Sequence, residues 1–252
     1  MGDELGLFFS FVKIQKGVEN SKRRSNKKIK ENILQTKFIM EQQIYITSDN
    51  HFHHKNILKH CPERQKICGA KDENDVEAWD KWMIEKWNST ISKKDMVYIL
   101  GDFAFGSPES VRKLLDKLHG KKFLILGNHD KSSEHLDNYF VQITQQKLVT
   151  FKKSNFNFLD EDFQVFMCHY PMVTWASKHY GVVEAHGHCH GRLDDYNEAT
   201  TDLRVDVGID GKLANFNFIT LEQIYRYFKE KTKGEKFIHY AMEKKNENSM
   251  VI

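Results

Sequence analysis

Met96-Val97-Tyr98-Ile99-Leu100-Gly101-Asp102 joins five apolar residues to a glycine and an acid. An apolar run of that length, stopped by a turn residue, reads as a buried strand. The same grammar recurs on either side. Ile44 to Thr47 ends at Ser48-Asp49, and Lys122 to Leu126 ends at Gly127-Asn128. Three strands therefore deliver polar groups at their carboxyl ends, where open α/β sheets place their ligands.

Amphipathic segments separate these strands. In Val76 to Ile91, Val76, Trp79, Met83 and Trp87 recur at helical spacing, which makes the tryptophans core anchors. The next helix is well signed, with Ser107 as N-cap, Pro108 at the first position and Gly120 as its stop. Val111, Leu114, Leu115 and Leu118 form its apolar face. Further strands are expected at Lys147 to Phe151, Phe163 to Cys168, Val182 to His186, Leu203 to Val207 and Phe216 to Ile219. Leu221 to Lys231 reads as a closing helix, and the Lys- and Asn-rich end beyond Tyr240 is expected to fray. The alternation predicts an α/β layered domain.

The 252 residues allow one domain with appendages, and the composition, 40% hydrophobic and 29% charged, is that of a globular protein. No apolar run approaches the roughly 20 residues that cross a bilayer. Leu5 to Ile14 is short and follows Asp3 and Glu4, where a secretory signal would carry positive charge. A cytoplasmic location is the expectation. Cys61, Cys68, Cys168 and Cys189 are accordingly expected to be reduced thiols, filling packing or surface positions and not serving as metal ligands. Residues 1–40 hold nine Lys or Arg against four acids, so this stretch carries +5 of a total of +3 and leaves −2 for the rest. We read 1–40 as a basic, disordered extension, 41–232 as the domain and 233–252 as a polar C-terminal tail. The extension could meet an anionic partner, either nucleic acid or a membrane surface.

Metal-type ligands fall in five clusters along the domain. They are Asp49-Asn50-His51, Gly101-Asp102, Gly127-Asn128-His129-Asp130, Cys168-His169-Tyr170-Pro171 and Gly187-His188-Cys189-His190. Carboxylate, amide and imidazole groups together suit divalent cations of intermediate hardness. Each residue alone has a plainer reading: the acids as turn or cap residues, Asn128 as a turn residue beside glycine, each histidine as a core or surface group.

In this order the clusters resemble those of the calcineurin-like metallophosphoesterases, in particular the small single-domain phage and bacterial members. The likeness covers residues 41 to 225 and includes Val97 to Gly106 and the Val207-Gly208 that follows Asp206. The resemblance implies a four-layer αββα sandwich, two mixed β-sheets flanked by helices. It implies two divalent metal ions, with Mn the leading candidate and Fe, Zn or Ni also fitting the ligand set. Asp49, His51 and His190 would bind one ion and Asn128, His169 and His188 the other, with Asp102 bridging. A hydroxide shared by the metals would attack phosphorus in line. His129 would act as general acid, and Asp130 would orient its imidazole. His54 would reach the substrate phosphate, while His53 stands where relatives have glycine. Lys55 and Arg192 read as solvated surface, and His186 as either a partner of the ligands or a strand residue.

The expected activity is hydrolysis of a phosphoester, with a phosphodiester or nucleotide-like substrate favoured. The alternatives are a phosphomonoesterase of the same fold and a non-catalytic interaction module on it. A metallo-β-lactamase-type site is excluded because His51-Phe52-His53 is not followed by the Asp-His pair that chemistry requires.

Overall fold

The structure is a computed structural model that describes residues 42–133 and 135–249. The extension expected over residues 1–40 lies outside the described residues. Two sheets carry the architecture. In the first, β1 (Ile44–Thr47), β2 (Met96–Leu100), β3 (Lys121–Ile125) and β4 (Gln142–Thr144) run parallel, and β9 (Ile219–Thr220) adds antiparallel to β1, giving the order β4-β3-β2-β1-β9. The second has the order β5-β6-β7-β8, with β5 (Gln146–Phe151) antiparallel to β6 (Phe163–Cys168) and β7 (Val183–His186) and β8 (Arg204–Asp206) parallel to it. Both sheets are mixed.

Strand alternation sorts the core into layers. Ile44, Ile46, Tyr98 and Leu100 point inward to meet Val165, Met167, Val183 and Ala185 of the second sheet. Their neighbours Tyr45, Val97, Ile99 and Leu124 face the opposite way, against helices. That outer layer is α3 (Val76–Thr90), with Trp79, Met83 and Trp87 fully buried, and α4 (Pro108–Leu115), with Val111, Leu114 and Leu115 buried. Ser107 caps α4 by accepting from the Ser110 amide, as the sequence signs predict. The closing helix α6 (Leu221–Lys231) begins in a capping box of Thr220 and Gln223 and inserts Ile224, Tyr225 and Phe228 into the inter-sheet core.

Short elements escape the sequence reading. α1 (Ile57–His60), α2 (Pro62–Cys68), α5 (Asp194–Ala199) and β4 are too brief to show a period. The strand expected at Phe216 to Ile219 is instead Ile219–Thr220, because Asn215 and Phe216 take left-handed backbone angles (φ 42° and 61°) that end any extended run. The fraying expected past Tyr240 is corrected as well. α7 (Phe237–Ser249) is helical, docked by the buried Phe237 and the half-buried Tyr240 against the inter-sheet core. Among the described residues no helix is long and apolar enough to cross a membrane.

The outer face of the second sheet hides a polar pair, Glu184 of β7 and Arg204 of β8, which are register partners. Glu184 accepts from the Met172 amide through one oxygen at 2.9 Å, while its other oxygen is buried without a partner. Burial pushes its carboxyl up to about 8, against the opposing pull of the Met172 amide and Arg204. The fold thus holds a proton that the unfolded chain releases near the ordinary 4.5. This part of the stability is present below that value and is lost as pH rises towards 8. Relative to the wild type, Glu184→Gln should flatten the fall in melting temperature between pH 6 and 9, the gap growing to roughly 5 °C. Parallel melting curves for the two proteins across that range would contradict the neutral assignment.

Candidate metal centre

β1 and β2 of the first sheet each hand over to a loop with a left-handed kink. Asp49, His51 and Asp102 have φ of 56°, 51° and 51°, and across the gap His188 and His190 have 70° and 52°. Such angles are unusual for residues with a side chain and cluster at functional sites. Close approach is the reason for the kinks. A Cβ on Gly101 would lie 2.4 Å from His169 Nδ1, and one on Gly187 would lie 1.9 Å from Ser48 Oγ. Only glycine fits between the two sets of loops at these points.

All seven residues proposed as ligands converge there. Asp49, His51 and His190 form one group whose donor atoms lie within 4.8 Å of one another, and Asp102, His169 and His188 form a second. Asn128 Oδ1 joins the second group, 3.1 Å from His169 Nε2. Asp102 faces both groups, with Oδ2 3.7 Å from His51 Nε2 and Oδ1 3.5 Å from His169 Nε2. The two sets differ in access. Asp49, His51, Asp102 and His169 are buried, whereas Asn128 and His188 are exposed.

The imidazoles are oriented from behind. His169 Nδ1 donates to the Leu100 carbonyl at 2.7 Å, which leaves the Nε2 lone pair aimed at Asn128 and Asp102. His190 Nδ1 pairs with Asp210 Oδ2 at 2.6 Å, turning its Nε2 towards His51 Nε2 at 3.2 Å. Two ring nitrogens so opposed, each 3.7–3.8 Å from Asp49 Oδ1, need a shared proton or cation between them. The donor set therefore fits a divalent metal. His51 Nδ1 is buried with no partner, and burial, then Arg64 and His190, hold its ring well below the usual histidine range. For His190, burial pulls down but Asp210 and its neighbours prevail, raising the ring to about 10.

The anchor of the first group is a residue the sequence reading missed. Arg64, completely buried in α2, donates through NH2 to the Asp49 carbonyl at 2.6 Å and through NH1 to the Asn50 carbonyl at 3.2 Å. Its Nε reaches Asp210 Oδ1 at 2.7 Å, and its guanidinium lies 4.5 Å over the Trp79 ring. Trp79 Nε1 also donates to the Asn50 carbonyl. Asp210 itself is held down to about 2, because the Arg64 guanidinium and His190 outweigh the effect of burial. Pro62 at the first position of α2 was the available signal for this helix, and the Asp210-Gly211 pair after Val207-Gly208 was the signal for the acid.

Asp130 does something other than expected. Its Oδ2 accepts from the amides of Asp102 and Gly127, and its Oδ1 from that of Phe103, all at 2.8 Å. The contact with the His129 imidazole is not formed, since both oxygens are spent on backbone. Burial raises this carboxyl to about 6 despite the three amides. His129 is instead placed by its own amide, which donates to Asp102 Oδ1 at 3.0 Å, and by the Phe105 ring at 4.8 Å. The His54 ring lies 5.3 Å from that of His51 and 4.2 Å from Phe105, at the rim. His53, in the glycine position, adopts the left-handed φ of 61° that glycine would favour, secured by Asp80 through its amide at 2.9 Å and Nδ1 at 2.6 Å.

His186 is turned from the site, bonded to the Gly187 carbonyl and to Asn197, and burial lowers it to about 4. Cys189 lies in the kinked loop between His188 and His190. Cys61 has more than a packing role, its Sγ resting 3.6 Å from His190 Nδ1. Tyr170 also went unassigned. Its ring sits edge-on to His188 at 4.7 Å, with its hydroxyl 3.5 Å from Asn128 Oδ1.

Two facing mixed sheets that gather Asp, Asn and His at their loop ends define a metallophosphoesterase domain. The chain belongs to the calcineurin-like phosphoesterase family, whose model matches residues 43–211. It is similar to an uncharacterized protein of Methanocaldococcus jannaschii, 28% identical over 188 residues that cover 73% of this chain and 90% of the relative. Gene 66 proteins of two mycobacteriophages are also similar. That of phage L5 is 37% identical over 34% of this chain and 39% of its own length, and that of phage D29 is 25% identical over 66% and 87%. A crystal structure of a protein of unknown function from Aquifex aeolicus shares the fold, with a TM-score of 0.53 and 22% identity over 74% of this chain and 99% of that one.

If Asp210 fixes the coordinating face of His190, Asp210→Asn should weaken cation binding by ~10–100-fold, the usual effect of removing such a partner. Calorimetric titration of the metal-free protein with Mn2+ measures this. An unaltered isotherm would remove Asp210 from the centre.

Proposed function

We propose that this chain is a dinuclear, metal-dependent phosphodiesterase acting on a small or nucleotide-like substrate. The observation that carries the reading is the double reach of Asp102, with one carboxylate oxygen towards each donor group. A shared carboxylate is what two like-charged cations ~4 Å apart require, because it offsets their repulsion from between them. Asp49, His51 and His190 would hold one cation, Asn128, His169 and His188 the other. Manganese is the leading candidate, and iron, zinc and nickel also accept the mixed oxygen and nitrogen set, so availability would decide among them. Once bound, the two ions would supply positive charge for the phosphoryl oxygens and an activated water at neutral pH.

The chain's own groups do the rest. Asn128 contributes a neutral ligand, so the exposed half of the site keeps less negative charge and admits a phosphate more easily. His54 and His129, with rings 6.2 Å apart and both against Phe105, would present N–H donors to the substrate at the mouth. As water oxygen joins phosphorus, the P–O bond to the alcohol breaks, and His129 would donate a proton to the departing oxygen. Asp130 serves this step indirectly by clamping the amides of Gly127, Asp102 and Phe103. The loop that carries His129 is thereby tied to the loop that carries Asp102.

Asp102→Asn should leave the sheets folded, abolish all but about a thousandth of the hydrolysis of bis-p-nitrophenyl phosphate, and lower the bound manganese from two equivalents to one. Full turnover by the manganese-replete variant would defeat the bridging role. His129→Ala should keep both equivalents. It should slow diesters with alkoxide leaving groups by ~100-fold and p-nitrophenyl esters by much less, since p-nitrophenolate departs without a proton. Equal losses on the two substrates would show that His129 is not the acid.

A further inference from the structure

Beyond His190 the centre opens into a cavity of about 280 Å3, walled by His60, Glu63, His190, Arg192, Asp210 and Phe216. We propose that this cavity receives the base of a nucleotide whose phosphate lies at the metal centre, an inference that rests on the hydrolytic reading above. The walls carry the argument. His190 belongs to both the first donor group and the cavity, so a substrate group attached to phosphorus at the centre would border the cavity. Phe216 offers the aromatic surface. Two consecutive left-handed residues, Asn215 and Phe216, turn the chain at this point, and the Phe216 amide is fixed to the Ile209 carbonyl at 2.9 Å. The ring meets Trp82 only edge-on, with centroids 6.5 Å apart, and remains half-buried.

The polar groups of the wall are of both signs and differ in availability. Asp210 is already engaged by Arg64 and His190, so it brings no free negative charge against a phosphate. Glu63 and Arg192 are exposed and have no ion pair among the described residues. An acceptor and a forked donor lining the same cavity as an aromatic ring match a heteroaromatic ring, whose edge carries both donors and acceptors and whose faces stack. An aliphatic ester group would face two charges that it cannot pair with. The volume is close to the lower end of small-molecule sites and suits a base better than a chain.

The test compares adenosine 5′-monophosphate with ribose 5-phosphate, which differ only in the base, by calorimetry on the manganese-loaded full chain. The nucleotide should bind at least about tenfold more tightly, as base stacking typically provides. Phe216→Ala should erase this preference, and Phe216→Trp should keep it. Equal affinities in the wild type, or a preference that survives Phe216→Ala, would overturn the pocket. Should Phe216→Ala fail to fold, Arg192→Ala on the exposed rim decides: a narrowed preference supports the proposal and an unchanged one overturns it. Hydrolysis of bis-p-nitrophenyl phosphate is followed on the same samples. Retained hydrolysis with equal affinities discards the base pocket alone. Loss of both hydrolysis and phosphate binding discards the hydrolytic reading with it.

Discussion

One hydrogen bond lies where the two sheets end, from His169 Nδ1 at the close of β6 to the Leu100 carbonyl at the close of β2. It joins the two layers, as do the bonds from the Ile209 amide to the Ser48 carbonyl at 3.1 Å and from the His188 amide to Asp49 Oδ2 at 2.9 Å, and it decides which nitrogen of His169 faces the centre. Within each sheet the strand ends at this seam are tied as well, Ser48 donating to the same carbonyl at 2.6 Å and the Gly187 amide to the His169 carbonyl at 2.9 Å. Non-directional packing could let the sheets slide by a fraction of a residue. These bonds do not, and every donor distance in the centre inherits that register.

The seam also explains the strain around it. Loops from two sheets must place six or seven side chains in a volume a few ångströms across while keeping backbone amides satisfied, and left-handed residues give the sharpest reversal available. Asp49, His51, Asp102, His188 and His190 all accept that conformation. Side-chain carboxylates compensate for the amides that the kinks leave behind. Asp130 takes three of them, Asp49 takes that of His188, and Asp206 takes those of Gly208 and Gly191. The acids that the ligand pattern omits are therefore the scaffold for those it includes. Burial raises Asp130 to about 6 and, together with the neighbouring Asp49, raises Asp206 to about 7, which limits the negative charge crowded behind the site.

The parts legible in the sequence were those that repeat a local rule. β1, β2 and β6 were bounded to the residue, because a buried strand ended by a polar turn is a contiguous signal. The seven ligand candidates were legible by order along the chain, and the structure gathers them. Arg64 was not, since a lone arginine in a seven-residue helix reads as solvent-facing until its partners, Asp49 and Asp210, are known to lie beside it. Asp130 misled for a related reason. The family resemblance implied contact between its carboxylate and the His129 imidazole, but the turn that follows Gly127 buries the carboxylate and leaves His129 exposed. Phe216 looked like strand because aromatic residues favour strands, and backbone angles are invisible in composition.

The two halves of the centre are unlike, and the difference sets a direction. The half around Asp49 and His51 is closed from behind by Arg64, Trp79 and Asp210, and its donors have little freedom to move. The half around Asn128 and His188 stands open, bordered by His129 and the exposed Tyr170. On the proposed hydrolytic reading, the rigid anionic half would retain its cation, while the open half with a neutral amide would exchange ligands and solvent. Substrate phosphate would thus arrive from the open side, and any group reaching past it would meet His190 and the cavity beyond. On that reading the buried Arg64 would act on turnover by fixing which end of the centre yields.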